Sequence, residues 1–236
     1  MKVDFHQLEL RYESLRVFDK GRIDRLVSSL SAQGQQTSVF VVQSETQANH
    51  YTLIDGYLRV VAMKRLAFDQ VEAVCLPHSA CEALLLRHHV SRSGNSSALE
   101  DGWFLQELMA NHHFTHQDLA DRLQKSVSWI NRRLHMAKSL PAEVQQLVRS
   151  GTLCAHAAQK YFIPLARANR TQCVLIAQGL KGISVSSRQM ESLYRAWRAG
   201  DAEVRQRIAQ SPQLFLKSLS QAPKVEKNVA RQLEPV

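Results

Sequence analysis

The chain has 236 residues, 44% of them hydrophobic, with 30 Lys/Arg against 21 Asp/Glu and a formal net charge of +9. That apolar share over that length excludes a disordered polyelectrolyte and supports one or two domains with real cores. No apolar run reaches the length of a membrane span, and "MKVDFHQLEL" lacks the apolar stretch of a secretory signal.

The four cysteines, Cys75, Cys81, Cys154 and Cys173, show no CxxC spacing, so a reduced, cytoplasmic chain is expected. Residues 166–236 carry 12 Lys/Arg against 5 Asp/Glu, whereas residues 1–98 carry 11 against 10. An excess gathered in the last third points towards a polyanion, although an arginine-rich solvated surface would give the same balance.

In chain order, "GRIDRLVSSLSAQG" places Ile23, Leu26, Val27 and Leu30 at helical spacing and ends on Gly34, a helix stop. "SVFVVQS" and "HYTLIDG" are β-branched or aromatic runs joined by "ETQAN", which predicts a hairpin. A helix from about Gly56 and a strand at "QVEAVCL" follow, and from Cys81 onward only helices are predicted. "HVSRSGNSSALE", His89 to Glu100, reads as a linker, and a second break is expected near "QGLKGISVSS". Ser186 with Gln189 has the spacing of a capping box, and Asp201 and Ser211-Pro212 read as further helix starts. The expected class is an α+β domain over 1–90, a helical domain over 91–182, and basic helices with a tail over 183–236 where self-association is placed. Met190, Leu193 and Trp197 recur there at helical spacing and are the expected contact face.

"FTHQDLADRLQKSVSWINRRLHMAKSLP", Phe114 to Pro141, carries the functional signal. Thr115 can cap a short helix with Leu119, Ala120 and Leu123 on one face. Ser126 can cap a second helix that buries Ile130 and Leu134. A small residue at Ala120 and an aliphatic one ten positions on, at Ile130, fit a helix-turn-helix. Gln124 stands at the turn, where many such motifs place glycine. Between Gln124 and Lys138 there are four Lys/Arg and no acid. Arg can read guanine and Asn adenine, while Ser and Lys can fix phosphates. The candidate DNA-binding residues are therefore Thr115, Lys125, Ser126, Val127, Ser128, Asn131, Arg132, Arg133 and His135. A helical hairpin with a solvated basic face is the plainer alternative.

These segments, in this order, resemble the ParB family of centromere-binding and plasmid-partition proteins over about Val3 to Ala158. "RVFDKGRIDRLVSSLSAQGQQTSVFVV" is similar to the family's opening helix and first strand. The helix-turn-helix and the helices after it match down to a Leu-Pro and a late His-Ala. "LIDGYLRVVAMKRL" sits where the family has its Gly-Glu-Arg-Arg-x-Arg-Ala box. The resemblance implies a ParB/sulfiredoxin-like N-terminal fold, binding of CTP phosphates at the box, and dimers that close on DNA. Gly56 keeps the glycine, Arg59 the second arginine and Ala62 the alanine. Tyr57 replaces the glutamate, and Leu58 and Val61 replace the other arginines. Gly56 and Arg59 are the carried-over nucleotide residues, poor CTP affinity with no appreciable hydrolysis is expected, and no cofactor is required. Arg92 and Asn95 are loose candidates for the family's second nucleotide motif. The sulfiredoxin turn reads Gly-Cys-His-Arg, and Gly56-Tyr57-Leu58-Arg59 lacks its cysteine, which argues against redox repair.

Family members often stimulate a ParA-type ATPase through a basic N-terminal arm. Only Met1 and Lys2 precede the match, so that partnership is not expected. Cys75, His78, Cys81 and His88 fit no common zinc spacing, and no metal is expected. His112, His113 and His116 read as exposed polar residues, and Trp129, Trp103 and Phe104 as core. The sequence therefore predicts a cytoplasmic, nucleoid- or plasmid-associated homodimer that binds double-stranded DNA, in partition or transcriptional repression. A nucleotide-dependent switch enzyme and a protein-interaction module with a vestigial motif are the alternatives.

Overall fold

A computed structural model of the chain describes residues 1–90 and 96–221, the side chain of Ser220 apart. The two β-branched runs become strands β3 (Val39–Gln43) and β4 (Tyr51–Asp55), an antiparallel hairpin with Val41 opposite Leu53. Strand β5 (Gln70–Cys75) lies parallel to β3. Two further strands were not expected: β1 (Lys2–Asp4), antiparallel to β5, and β2 (Leu8–Glu9), parallel to β4. The sheet order is β1-β5-β3-β4-β2. Three- and two-residue strands are too short to show a period-2 pattern.

Helix α1 (Lys20–Gln33) starts where the Asp19 carboxylate accepts the Arg22 amide at 2.8 Å, and it stops at Gly34, whose φ is 67°. Helix α2 (Tyr57–Arg65) leaves β4 through Gly56 and packs on α1. Helix α3 (Ala80–Val90) covers β4. It takes up His89 and Val90 of the expected linker. Helix α4 (Ala98–His112) takes up Ala98 to Glu100, with Ser97 and Glu100 forming its capping box. Residues 91–95 of that linker, Arg92 and Asn95 included, lie outside the described residues.

Helices α5 (His116–Leu123), α6 (Val127–Ser139) and α7 (Ala142–Arg149) follow. Then α8 (Ala155–Ala157) runs through a π turn at Ala158–Phe162 into α9 (Ile163–Ala168). Helices α10 (Arg170–Gly179), α11 (Ser187–Ala199), α12 (Ala202–Gln210) and α13 (Pro212–Gln221) complete the fold. The expected caps at Ser186 and Asp201 form, and the break between Gly179 and Ser187 is where the sequence placed it.

One expectation is overturned here. Met190, Leu193 and Trp197 are buried within the chain, with α11 packed against α8, α12 and α13. Their helical spacing marks an internal core face, so they are not a surface for a second subunit.

The first seventy-five residues are tied to the helical part by residues 12–19. The Arg149 guanidinium lies 4.3 Å from the Trp103 ring centroid and its Nε donates to the Ser14 carbonyl at 2.7 Å. The Phe18 amide donates to the Arg149 carbonyl at 2.7 Å, and the Val17 amide to Glu100 Oε1 at 3.2 Å.

Candidate nucleic-acid interface and the strand-turn-helix cleft

Local chemistry sets the α5–α6 pair. The Thr115 hydroxyl accepts the Asp118 amide at 3.2 Å and donates to Asp118 Oδ2 at 2.7 Å. That hydroxyl hydrogen bond, with the Thr115 amide behind it, holds the Asp118 carboxyl below its ordinary range. Leu119, Ala120 and Leu123 are buried, and Ile130 is fully buried against them. Gln124 adopts φ 51°, ψ 47°, the left-handed conformation that glycine would supply, and the Lys125 amide closes the turn on the Ala120 carbonyl at 2.9 Å. Ser126 caps α6 by accepting the Trp129 amide at 3.1 Å.

The outer side of α6 presents Ser128, Asn131, Arg132, His135 and Lys138, all exposed. Their spacing of three and four residues makes one row along the helix. Lys125 and Ser126 are exposed just ahead of that row, Thr115 is exposed at the start of α5, and Val127 is half-buried against the core.

Arg133 is not part of that row. It turns towards α4 and pairs with Asp101, Nε to Oδ2 at 3.2 Å, in an ion pair whose Nε makes no hydrogen bond. Trp129, read as core, is half-buried and lies between two cations: Lys125 Nζ is 5.7 Å and the Arg133 guanidinium 5.1 Å from its ring centroid. Arg133 reaches the ring from one turn further along α6, and Lys125 from the turn that precedes the Ser126 cap.

Asp101 also accepts from Ser96 at 2.5 Å and lies 3.6 Å from His88 Nε2, while the His88 ring stacks on Phe104 at 4.9 Å. Burial pushes the Asp101 carboxyl up, but the bonds from His88 and Ser96 and the nearby charges of His88 and Arg133 outweigh it and leave it lowered. Asp101 thus ties α3, α4 and α6 together.

The turn into α2 opens on a cleft of about 510 Å³. Gly56 has φ 105°, and a Cβ there would stand 2.5 Å from Val39 Cγ1, so both conformation and space require glycine. Tyr57 points inward: its hydroxyl donates to the Leu53 carbonyl at 2.6 Å and accepts the Tyr12 amide at 3.2 Å. Burial drives its pKa up. Arg59 donates to the Ser38 carbonyl at 3.3 Å, and burial lowers its pKa while Asp55 opposes the shift.

The box keeps one arginine, yet the cleft has five: Arg16, Arg22, Arg25, Arg59 and Arg87. Asp55, at the mouth of the cleft, is neutralised by Arg87, Nε to Oδ1 at 2.6 Å. Arg16 is buried, its guanidinium 5.6 Å from the Tyr57 ring centroid, and burial draws its pKa down to about 10. Sequence reasoning missed these cations because four separate segments supply them. Among the described residues no cluster of three His, Cys, Asp or Glu side chains could hold a metal ion.

The ParB N-terminal domain profile matches residues 1–87, and the ParB HTH domain profile matches residues 95–199. The chain belongs to the ParB family. Its architecture is that family's N-terminal α+β domain followed by the helical helix-turn-helix domain and C-terminal helices.

Among relatives of this ParB-family chain is a nucleoid occlusion protein of Lysinibacillus sphaericus (strain C3-41). It is 29% identical over 140 residues, covering 58% of the chain and 46% of the relative. A probable chromosome-partitioning protein ParB of Coxiella burnetii (strain RSA 493 / Nine Mile phase I) is 26% identical over 192 residues, covering 80% and 63%. The chain spans about half the length of the first curated relatives it matches. Among solved structures, the C-terminally truncated chromosome-partitioning protein ParB of Caulobacter crescentus complexed to the centromeric parS site overlays with a TM-score of 0.39. Identity is 22%, covering 83% of this chain and 98% of that one. The same truncated ParB complexed with CTP-gamma-S gives 0.37 at 21% identity, covering 76% and 97%.

Proposed function

We propose that this ParB-family chain binds duplex DNA with sequence preference, as a homodimer on inverted half-sites, in partition of DNA molecules or repression of their genes. The observation that carries the reading is the exposed row on α6. Ser128, Asn131, Arg132, His135 and Lys138 share one helix face, with no acid between Asp121 and Glu143. A recognition helix enters the major groove by its N-terminal half, which assigns base edges to Ser128, Asn131 and Arg132. Lys125 and the capped ends at Thr115 and Ser126 suit phosphates. Such a protein works in the cytoplasm on the nucleoid or a plasmid. The reading divides the chain at about residues 90 and 182 and places the subunit contact within 183–236, where Leu214 and Leu219 are exposed on α13.

Selection of duplexes from a random pool, then anisotropy on the selected and a scrambled duplex, tests this. Arg132→Ala is expected to lose about 1–3 kcal/mol of preference, and Lys125→Ala to weaken both duplexes alike. If the full chain binds no duplex at any salt concentration, the reading is wrong.

The cleft supports a second assignment, a nucleoside triphosphate, and by family CTP. Arg22 and Arg25 extend exposed from α1 into a cleft that the Gly56 turn closes, so the cation supply is larger than the box alone gives. The two acids that line it are engaged. Asp55 pairs with Arg87, and Glu100 accepts the Ser97 and Val17 amides. That arrangement favours binding without hydrolysis.

A further inference from the structure

The exposed row of α6 does not end with α6. His135, at its C-terminal end, has its Nε2 3.4 Å from Nη2 of Arg167, which sits exposed in the last turn of α9. Helix α9 packs on α6, so the two side chains belong to one continuous surface although 32 residues separate them in sequence. The charge along this stretch is one-sided. From Arg122 to Met190 the chain has eleven Lys/Arg and a single acid, Glu143. The Arg167 guanidinium donates to the His135 ring nitrogen and pairs with no carboxylate among the described residues, and an exposed cation so placed suits a polyanion better than the fold's own stability.

We infer that Arg167 is a phosphate-contacting residue that extends the duplex footprint beyond the helix-turn-helix, with His135 as its neighbour on the same strand of DNA. This rests on the DNA-binding reading and adds to it a residue from outside the motif. Position decides between base and phosphate. Ser128 to His135 spans about 10 Å along the helix axis at 1.5 Å per residue. With the N-terminal half of α6 in the groove, its C-terminal end rises towards the flanking backbone. Arg167 lies at that end, one helix further out, where phosphates and not base edges are within reach. His135, assigned to DNA from its place on α6, then becomes part of a two-residue backbone clamp.

The test is a salt titration of binding, on the selected duplex and on a scrambled duplex of the same length, with the full chain. Arg167→Ala is expected to weaken both duplexes by the same factor and to reduce the slope of log K against log salt by about 1. Arg167→Lys keeps the charge and is expected to restore the slope. Arg195→Ala, which removes an exposed charge paired with Glu191 on α11, is expected to leave it unchanged. An unchanged slope in Arg167→Ala, with Arg132→Ala still losing preference, overturns this inference and leaves the DNA-binding reading intact. Loss of preference in Arg167→Ala, with the slope kept, overturns the phosphate assignment as well. Thermal melts of each variant establish that the fold is retained, as the exposed position of Arg167 leads one to expect.

Discussion

Gly102 of α4 and Arg133 of α6 meet backbone to backbone: a Cβ on Gly102 would stand 2.7 Å from the Arg133 carbonyl oxygen and 2.8 Å from the Ala137 Cβ. The recognition helix is therefore seated by a close crossing that only a residue without a side chain permits. Gly102→Val forces α6 outward. Overpacking of this kind costs about 1–3 kcal/mol, and a β-branched residue recovers little helix propensity. A lower urea midpoint together with weaker duplex binding is the expected outcome. A variant as stable as the parent, with unchanged binding, would show that the crossing does not seat the helix.

Asp101 supplies a pH dependence. Its carboxyl is lowered in the fold, so its contribution is fully present above the unfolded carboxylate range, near pH 4. It is lost as pH falls through the lower folded value. Asp101→Asn keeps the shape and removes the charge facing Arg133 and His88. At neutral pH the variant is expected to be less stable by about 1–3 kcal/mol. The gap should begin to shrink in unfolding measurements below about pH 4 and close only once pH has fallen through the lowered folded value, where the native aspartate is also neutral. A gap that stays constant down to the most acid point would remove the ion pairs from the explanation.

Nucleotide binding is decided by calorimetry with CTP and magnesium. The parent chain is expected to give a binding heat with no phosphate release. Arg25→Ala should weaken it roughly 10–100-fold, the value of a charge-assisted hydrogen bond of about 1.5–3 kcal/mol. Absence of heat from the parent chain, with and without selected duplex, would leave the arginine cleft structural.

Subunit contact is tested on α13. Leu214→Asp with Leu219→Asp alters two exposed side chains and is expected to turn a dimer into a folded monomer by light scattering. Stopping the chain at Gly182 is a different experiment. It removes the helix that buries Met190, Leu193 and Trp197 and strips the cover from α8 and α10. That product is expected to melt earlier or aggregate whatever its subunit contacts are.

What the sequence disclosed and what it hid divides by range. Thr115, Ser126, Ser186 and Asp201 were legible as caps because a cap is set by residues within one helical turn. Ala120 and Ile130 fixed the motif for the same reason. Strands β1 and β2 were hidden because each is too short to repeat a period-2 pattern and takes its partner from far along the chain. Arg16, Arg22, Arg25 and Arg87 were hidden because three separate segments carry them: they converge only once α1 is packed on α2, and α3 and the segment before α1 on β4. Arg133 and Trp129 were misread for a subtler reason. Helical periodicity assigns faces but not neighbours, and the neighbour here, Asp101, draws the arginine inward. Met190, Leu193 and Trp197 show the same limit, since an apolar stripe does not say whether its cover is the same chain or another.

The pairing of β1 with β5 also sets an order of assembly. Lys2 lies opposite Glu72, so the first strand made has no partner until some seventy more residues exist. Closing a loop of that length costs a few kcal/mol of chain entropy before any contact is gained. The helical half packs helices one or a few elements apart, such as α4 on α6 and α10 on α12, and closes shorter loops. On a ribosome, Lys2–Asp4 must stay unpaired while the hairpin and α1 form beside it. The sheet edge it will cover is open for that interval to any other extended segment. Lys2–Asp4, made before any other strand of the sheet, is therefore the last piece of it to be set in place.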